Sequence, residues 1–271
     1  MPVIFLPNGL GENAGDPLAV ASPLLVNGDV WYVDSATGSD AASPRGKNRS
    51  RPLATLAQAQ TNGANGDIIV LMDGHAETLT AALTISKSLT IVGAGKSSGL
   101  PTVKFTNNSA AASLFTVTAT YFQLRNVWIN AQAQSNSAIK VTCTSTWAHL
   151  SNIYMECNGY DTAAGLAFTG AGYRSVESST FISTATAASA QPALAMGAAG
   201  TTLWLRGVVF DGGTVGFSNY HAFETTAALT YLFAEGISLL RGVDMKVLEA
   251  TAGYINPQVS TRDARVDWCD I

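Results

Sequence analysis

The chain has 271 residues, 47% hydrophobic and only 13% charged, with a formal net charge of -4 and a pI near 5.3. That balance excludes an intrinsically disordered chain and leaves no basic footprint for nucleic acid. Much of the apolar share is Ala and Val beside many Ser, Thr, Asn and Gly, a mix that suits β-structure with tight corners in one domain. The three cysteines, Cys143, Cys157 and Cys269, show no CxxC spacing, so they read as buried reduced thiols, with no metal and no cofactor expected.

Residues 1–28 are apolar but punctuated by Pro2, Pro7, Gly9, Gly11, Gly15, Pro17, Pro23 and Gly28, which reads as an extended arm. Such an arm either packs on its own body or docks on a neighbouring chain, and Ile4, Phe5 and Leu6 are its expected contact residues. With no basic leader and with prolines in its apolar run, the segment is not expected to be a signal peptide. No window approaches a membrane span.

From residue 29 to 271 the spacing predicts one domain. Asp29–Asp34 reads as a first strand, followed by a polar loop that holds the basic cluster Arg45, Lys47, Arg49 and Arg51. That loop is either simply solvated or in contact with an acidic partner. A short helix is expected at about 52–62, with Pro52 in its first turn and Gly63 at its end, covering the open apolar end of a stack. Asp67–Met72, a loop at Asp73–Glu77, Leu83–Ile85 and Leu89–Val92 follow as the first coils.

Residues 121–240 repeat. Leu124-Arg-Asn-Val-Trp-Ile129 aligns with Leu150-Ser-Asn-Ile-Tyr-Met155, Val176-Glu-Ser-Ser-Thr-Phe181, Leu205-Arg-Gly-Val-Val-Phe210 and, more loosely, Phe233-Ala-Glu-Gly-Ile237. The leads are 26, 26, 29 and 28 residues apart, a spacing of stacked coils that bury their apolar sides on one another. Within a repeat the alternation has period two, and its phase resets at Asn126, Asn152, Ser178 and Gly207, residue types suited to a corner with positive φ. A second run, at Ile139–Val141, Leu166–Phe168, Leu194–Met196 and Val215–Phe217, supplies another wall, and residues 251–271 read as a C-terminal cap. The expected fold is therefore all-β, a right-handed single-stranded parallel β-helix with a capping helix and an N-terminal arm. Leucine-rich repeats share the period but need a denser leucine consensus and a helical return, and neither is present.

The order Trp31-Tyr-Val-Asp34, Pro52-Leu-Ala-Thr-Leu56, Gly66-Asp-Ile-Ile-Val-Leu71, Gly74-His-Ala-Glu77 and Leu89-Thr-Ile-Val-Gly-Ala-Gly95 resembles the start of pectate-lyase-like β-helix proteins, particularly phage-encoded ones. The resemblance spans roughly 29–250 as architecture. It implies polysaccharide lyases, glycosidase tailspikes or non-catalytic virion proteins, commonly trimeric. The acidic calcium cluster and basic catalytic residue of the lyases find no matching positions.

Glycan hydrolysis needs two carboxylates in reach of one bond. Glu156 and Asp211 share an outward column with Ile182 between them, which puts them roughly 9.6 Å apart at two rungs. Ordinary surface acids are the plainer reading. Glu177 and Arg206 share another outward column, as a surface ion pair. His75, in a loop, His149 and His221 lack metal or triad spacing. Trp128 and Tyr154 stack on adjacent rungs facing outward, as a subunit interface or a sugar platform, and Trp147 and Trp204 extend that surface.

The expectation is a non-enzymatic structural protein of a bacteriophage virion, made in the host cytoplasm: a capsid decoration or accessory protein, homotrimeric, touching capsid or tail proteins through its arm, with no nucleic acid or membrane partner. The rival expectations are a tailspike-type depolymerase using Glu156 and Asp211, and a host-glycan-binding module using Trp128 and Tyr154.

Overall fold

A computed structural model of the protein describes residues 28–41, 45–107, 113–131, 141–157, 165–183, 193–197, 200–213, 221–225, 231–241, 244–248, 254–261 and 266–269. The arm contacts Ile4, Phe5 and Leu6 lie outside the described residues, as does the run Val215–Phe217.

The chain is a parallel β-helix. Among the described residues the wall consists of a 13-stranded and an 8-stranded sheet, and all pairing within both is parallel. A small antiparallel hairpin, Lys96–Ser97 with Leu100–Pro101, stands apart. The larger sheet bends at a corner, so each full coil presents three faces. Face one comprises Val30–Val33, Ile68–Leu71, Leu89–Gly93, the first halves of Tyr121–Ala131 and Trp147–Cys157, then Gly172–Glu177, Thr201–Arg206 and the start of Tyr231–Leu240. Face two comprises Ala76–Leu79, Lys104–Asn107, the second halves of the long strands, Thr180–Ser183 and Val209–Asp211. Face three is the smaller sheet, from Leu83–Ile85 through Phe115–Val117, Val141–Cys143, Leu166–Phe168 and Leu194–Met196 to His221–Thr225 and beyond.

The register places like positions over one another. Leu124, Leu150, Val176, Leu205 and Ala234 form one buried inward column, and Ile129, Met155, Phe181, Phe210 and Leu239 another beyond the corner. Face three closes the interior with Phe115, Val141, Leu166, Leu194 and Phe223. Each fully buried Leu, Ile or Phe in these columns stabilises the stack by roughly 1.5–3 kcal/mol. The dry interior also takes the side chains of Cys143 and Cys157, both buried.

Several expectations need correction. The helix is Leu56–Asn62, with Thr55 as its N-cap accepting from the Gln58 amide at 3.1 Å. Pro52 lies outside it because Leu53 is drawn into an extended bridge with Val33 along the edge of the first strand. Gly63 does follow the helix, and Leu56 and Ala59 are buried in the main core at the N-terminal end of the stack. Lys87 Nζ donates to the carbonyls of Gln60, Thr61 and Gly63, a cation on the negative end of the helix.

The fifth repeat leads at Ala234, not Phe233: Leu205 registers with Ala234, and Phe233 lies outward on Trp204. The leads are thus 26, 26, 29 and 29 residues apart, with Gly236 as the fifth corner at φ 63°. The face-three strands include Val141–Cys143, residues 139 and 140 of the expected run lying outside the described residues, and His221–Thr225 pairs with Leu194–Met196. Ala76 and Glu77 belong to a strand rather than a loop. Within the segment expected to cap the stack, residues 254–261 and 266–269 add parallel strands to it.

Candidate functional site

The corner ladder is the frame on which the outward faces hang. Asn126, Asn152, Ser178, Gly207 and Gly236 have φ of 55°, 52°, 47°, 59° and 63°. Asn126 Nδ2 donates to the carbonyls of Gly93 (2.7 Å) and Gly95 (2.8 Å), and Asn152 Nδ2 donates to Asn126 Oδ1. The ladder then changes hands: Ser179 Oγ accepts from the Ile153 amide at 3.0 Å and donates to the Glu177 carbonyl at 2.7 Å. These bonds lock the angle between faces one and two, so every outward column stays in line over successive coils.

The acid pair lies where the alternation puts it. Glu156, Ile182 and Asp211 are register partners on face two. Asp211, however, holds both donors of the Arg241 guanidinium, and the Gly213 amide donates to it at 3.0 Å. The bond to Asp211 raises the Arg241 pKa, and the Asp211 carboxylate oxygens are occupied by the guanidinium and the Gly213 amide. Tyr154 stands beside the pair; burial and the negative charges of Glu156 and Asp211 raise its pKa, so it stays a neutral phenol.

Trp128 and Tyr154 are register neighbours with ring centroids 5.3 Å apart, edge to face. Neither is an open platform. Lys104 Nζ lies 4.2 Å from the Trp128 ring centroid, so one face of the indole carries a cation and the other meets Tyr154, and both side chains are half-buried.

The exposed aromatics are elsewhere, on face one. Tyr121, Tyr173, Trp204 and Tyr231 are exposed by 59%, 62%, 43% and 42%, which makes this, among the described residues, the face with the most aromatic surface open to solvent. Tyr121, Trp147 and Tyr173 follow one another in register, three residues ahead of their leads. Trp204 stacks on Phe233 at 4.0 Å, in the column one residue ahead of the leads. Between these rings is a polar group: His149 against Trp147, Arg125 donating to Gln123 Oε1 at 2.8 Å, and Ser175 Oγ donating to Glu177 at 2.9 Å. Burial lowers the His149 pKa, with Glu177 opposing and Arg125 adding to that shift. Arg206 turns to Glu235 (3.3 Å) rather than to the expected Glu177. The repeat alignment held the signal for this surface, since reading three positions ahead of each corrected lead picks out Tyr, Trp, Tyr, Thr and Tyr.

The other described histidine side chain is that of His75. His75 is fully buried, not a loop residue in solvent; its Nδ1 accepts from the Ser35 amide (3.0 Å), which leaves Nε2 as the protonated nitrogen facing Glu77 at 3.3 Å. Glu77 in turn accepts from the Leu56 amide at 3.0 Å, so this motif ties the first coil to the helix. The His221 side chain lies outside the described residues. Among the described residues no His, Cys, Asp and Glu group is placed to hold a metal ion, and no helix is long and apolar enough to cross a membrane.

No protein-family model matches the chain, and no curated protein matches it in sequence. Among solved structures a rhamnogalacturonan lyase is similar, at 12% identity and a TM-score of 0.37, over 88% of this chain and 68% of that one. The fold is nonetheless plain from the strand pairing itself: a parallel β-helix.

Proposed function

We propose that this protein is a non-enzymatic structural component of a bacteriophage virion, a capsid decoration or accessory protein that associates as a homotrimer through face one. The observation that carries the assembly role is the group Tyr121, Tyr173, Trp204 and Tyr231, exposed together on a flat wall. Tyr and Trp supply large contact area at small entropic cost and are enriched at interface centres. A parallel sheet braced by the Asn ladder presents them without having to order anything on binding. The pairing of Asp211 with Arg241 supports the non-enzymatic side of the reading, and the virion setting is supported by the sequence resemblance over residues 29–95.

The test of assembly is Tyr173→Ser combined with Trp204→Ser, followed by light scattering after gel filtration. The expected result is a shift from trimer to monomer with unchanged melting temperature; an unchanged mass overturns the interface. Virion attachment is tested by co-sedimentation with particles, where replacing Ile4, Phe5 and Leu6 by Asp is expected to abolish binding while the trimer persists. Binding that survives those replacements sinks the arm as the tether.

A glycan-binding reading is favoured by one observation. Trp204 has Phe233 on one side and, in the same column on the other, only the small Ser175, which leaves ring surface for a sugar to stack on. Trp204→Ala in a glycan-binding assay tests it. Product release from host polysaccharide that stops on replacing Glu156 and Asp211 by Gln and Asn would favour the depolymerase instead.

A further inference from the structure

One outward column of face one runs Gln123, His149, Ser175, Trp204 and Phe233, one side chain to a rung. All are large except Ser175. Trp204 leans away from that gap: its ring lies nearly parallel to Phe233, at 16°, with centroids 4.0 Å apart, closer than the rung repeat of about 4.8 Å. On the other side two rungs, roughly 9.6 Å, separate Trp204 from His149. A six-membered ring between two faces needs roughly 7–8 Å, twice a carbon contact distance of about 3.5–4.0 Å. The short side chain at Ser175 therefore leaves a slot one ring thick.

The slot is open to solvent and has a polar row across it. Trp204 is exposed by 43% and Tyr173 by 62%. Strand Gly172–Glu177 places Tyr173, Ser175 and Glu177 outward in one line, so a phenol stands at one end, a hydroxyl forms the floor and a carboxylate closes the other end. Ser175 Oγ donates to Glu177 Oε1 at 2.9 Å, which turns the carboxylate toward the floor. The cations of that end point elsewhere: Arg206 pairs with Glu235 at 3.3 Å, and Arg125 donates to Gln123 Oε1 at 2.8 Å. A fitting ligand thus needs a flat C–H face for the indole and hydroxyls for the carboxylate, and it must bring no negative charge against Glu177. A purely aromatic ring would satisfy the walls and desolvate the carboxylate without giving it a donor. We propose that the slot over Ser175, between Trp204 and His149, binds a neutral hexopyranose ring with its hydroxyls on Glu177 and Tyr173. This rests on the glycan-binding reading and names its sugar class.

The test is saturation-transfer NMR on the full chain, with methyl glycosides of glucose, galactose and mannose as neutral probes and glucuronic and galacturonic acids as charged ones. In titrations the best neutral glycoside is expected to bind at least about fivefold more tightly than either acid. Ser175→Phe should fill the gap in the column and abolish the transfer with the melting temperature kept or raised. Should that variant fail to fold, Trp204→Ala carries the same test by removing the platform. Glu177→Gln should narrow the preference for neutral rings to within about twofold. Transfer that is unchanged in a folded Ser175→Phe or in Trp204→Ala overturns the proposal, as do acids that bind as well as neutral rings. Absence of any neutral ring from the parent protein overturns it too, including the case in which a neighbour's wall closes the slot. The two readings fall separately. Host polysaccharide bound equally by the parent and by Ser175→Phe keeps the glycan reading and removes the slot, whereas methyl glycosides bound without any host polysaccharide keep the slot and remove that reading.

Discussion

At Asn126 two demands meet: the backbone is left-handed and buried, and two carbonyls of the preceding coil need a donor. Asparagine answers both, because it tolerates positive φ and carries a short amide. Asn126→Ala should lower unfolding free energy by about 2–4 kcal/mol, from two lost hydrogen bonds and left-handed strain, and Asn126→Gly by less, as read from urea denaturation. Gly93 serves the same corner: a Cβ there would lie 2.0 Å from the Asn126 carbonyl oxygen, so even alanine must push the coils apart. Asp67 is a second hub. Burial works against its charge, but donors from Ala64, Trp31 and Asp29 outweigh that and hold its pKa below the usual carboxylate value. A depressed carboxyl stabilises the fold above its unfolded pKa and loses that contribution as pH falls through the folded one. Asp67→Asn should therefore cost about 2–3 kcal/mol near neutral pH, and less in acid. His149 has the opposite chemistry: burial lowers its pKa, so the unfolded chain protonates first as pH falls below about 6.5 and stability declines from there toward the folded pKa. His149→Gln should flatten that part of the stability profile, and a profile unchanged from the parent would refute the assignment. Corner residues were legible because residue type and backbone conformation are tightly linked; the lysine over Trp128 was not, because Lys104 reaches it from a strand 24 positions earlier that no repeat aligns.

Strands and corners could be read from period-two alternation, yet the alternation also hides things. Position 174 is an inward one, registered with Ala148 and Leu203, and it holds an arginine. Arg174 is 1% exposed; its guanidinium donates to the carbonyls of Thr146, Tyr173, Gly170 and Ala171 and lies over Phe168. Burial lowers its pKa, and among the described residues no carboxylate pairs with it. The cation is held by backbone dipoles at the turn from face three to face one, something a hydrophobicity pattern cannot express. Arg174→Ala should cost about 3–5 kcal/mol, since it leaves a cavity and takes a charged donor from four carbonyls. Arg174→Leu should cost distinctly less, because the apolar stem refills the column. Equal losses in thermal unfolding would mean that the charge, not the volume, is what this turn requires. The helix start was misplaced for a similar reason: Pro52 is a sound first-turn residue, but the edge of Val30–Val33 captures Leu53 and delays the helix to Thr55.

For the whole molecule the decisive property is that each coil touches only its neighbours. Such a stack behaves as a chain of nearest-neighbour interactions, and a strong local lesion can uncouple its two ends. Phe181 is the place to make one: it is fully buried, registered between Met155 and Phe210, and stacked on Phe210 with centroids 5.4 Å apart. Phe181→Ala should remove about 3–5 kcal/mol, most of it at that coil. The coils before it retain the helix, the Asn ladder and the Asp67 hub as independent supports, whereas the later ones have lost both asparagines of the ladder and turn on glycines at 207 and 236. Hydrogen exchange should then keep strong protection in Ile68–Leu71 and Leu89–Gly93 while Thr201–Arg206 and Tyr231–Leu240 exchange through a separate, lower-energy opening. Uniform loss of protection across all four strands would mean that the stack unfolds as one unit. The division matters for the proposed assembly, because Trp204 and Tyr231 lie on the weaker side and Tyr121 on the stronger. Contact across face one would bind the coils with glycine corners to a neighbour's wall, so association should raise protection most in Thr201–Arg206 and Tyr231–Leu240, and a trimer that protects only the first coils would be built on a different surface.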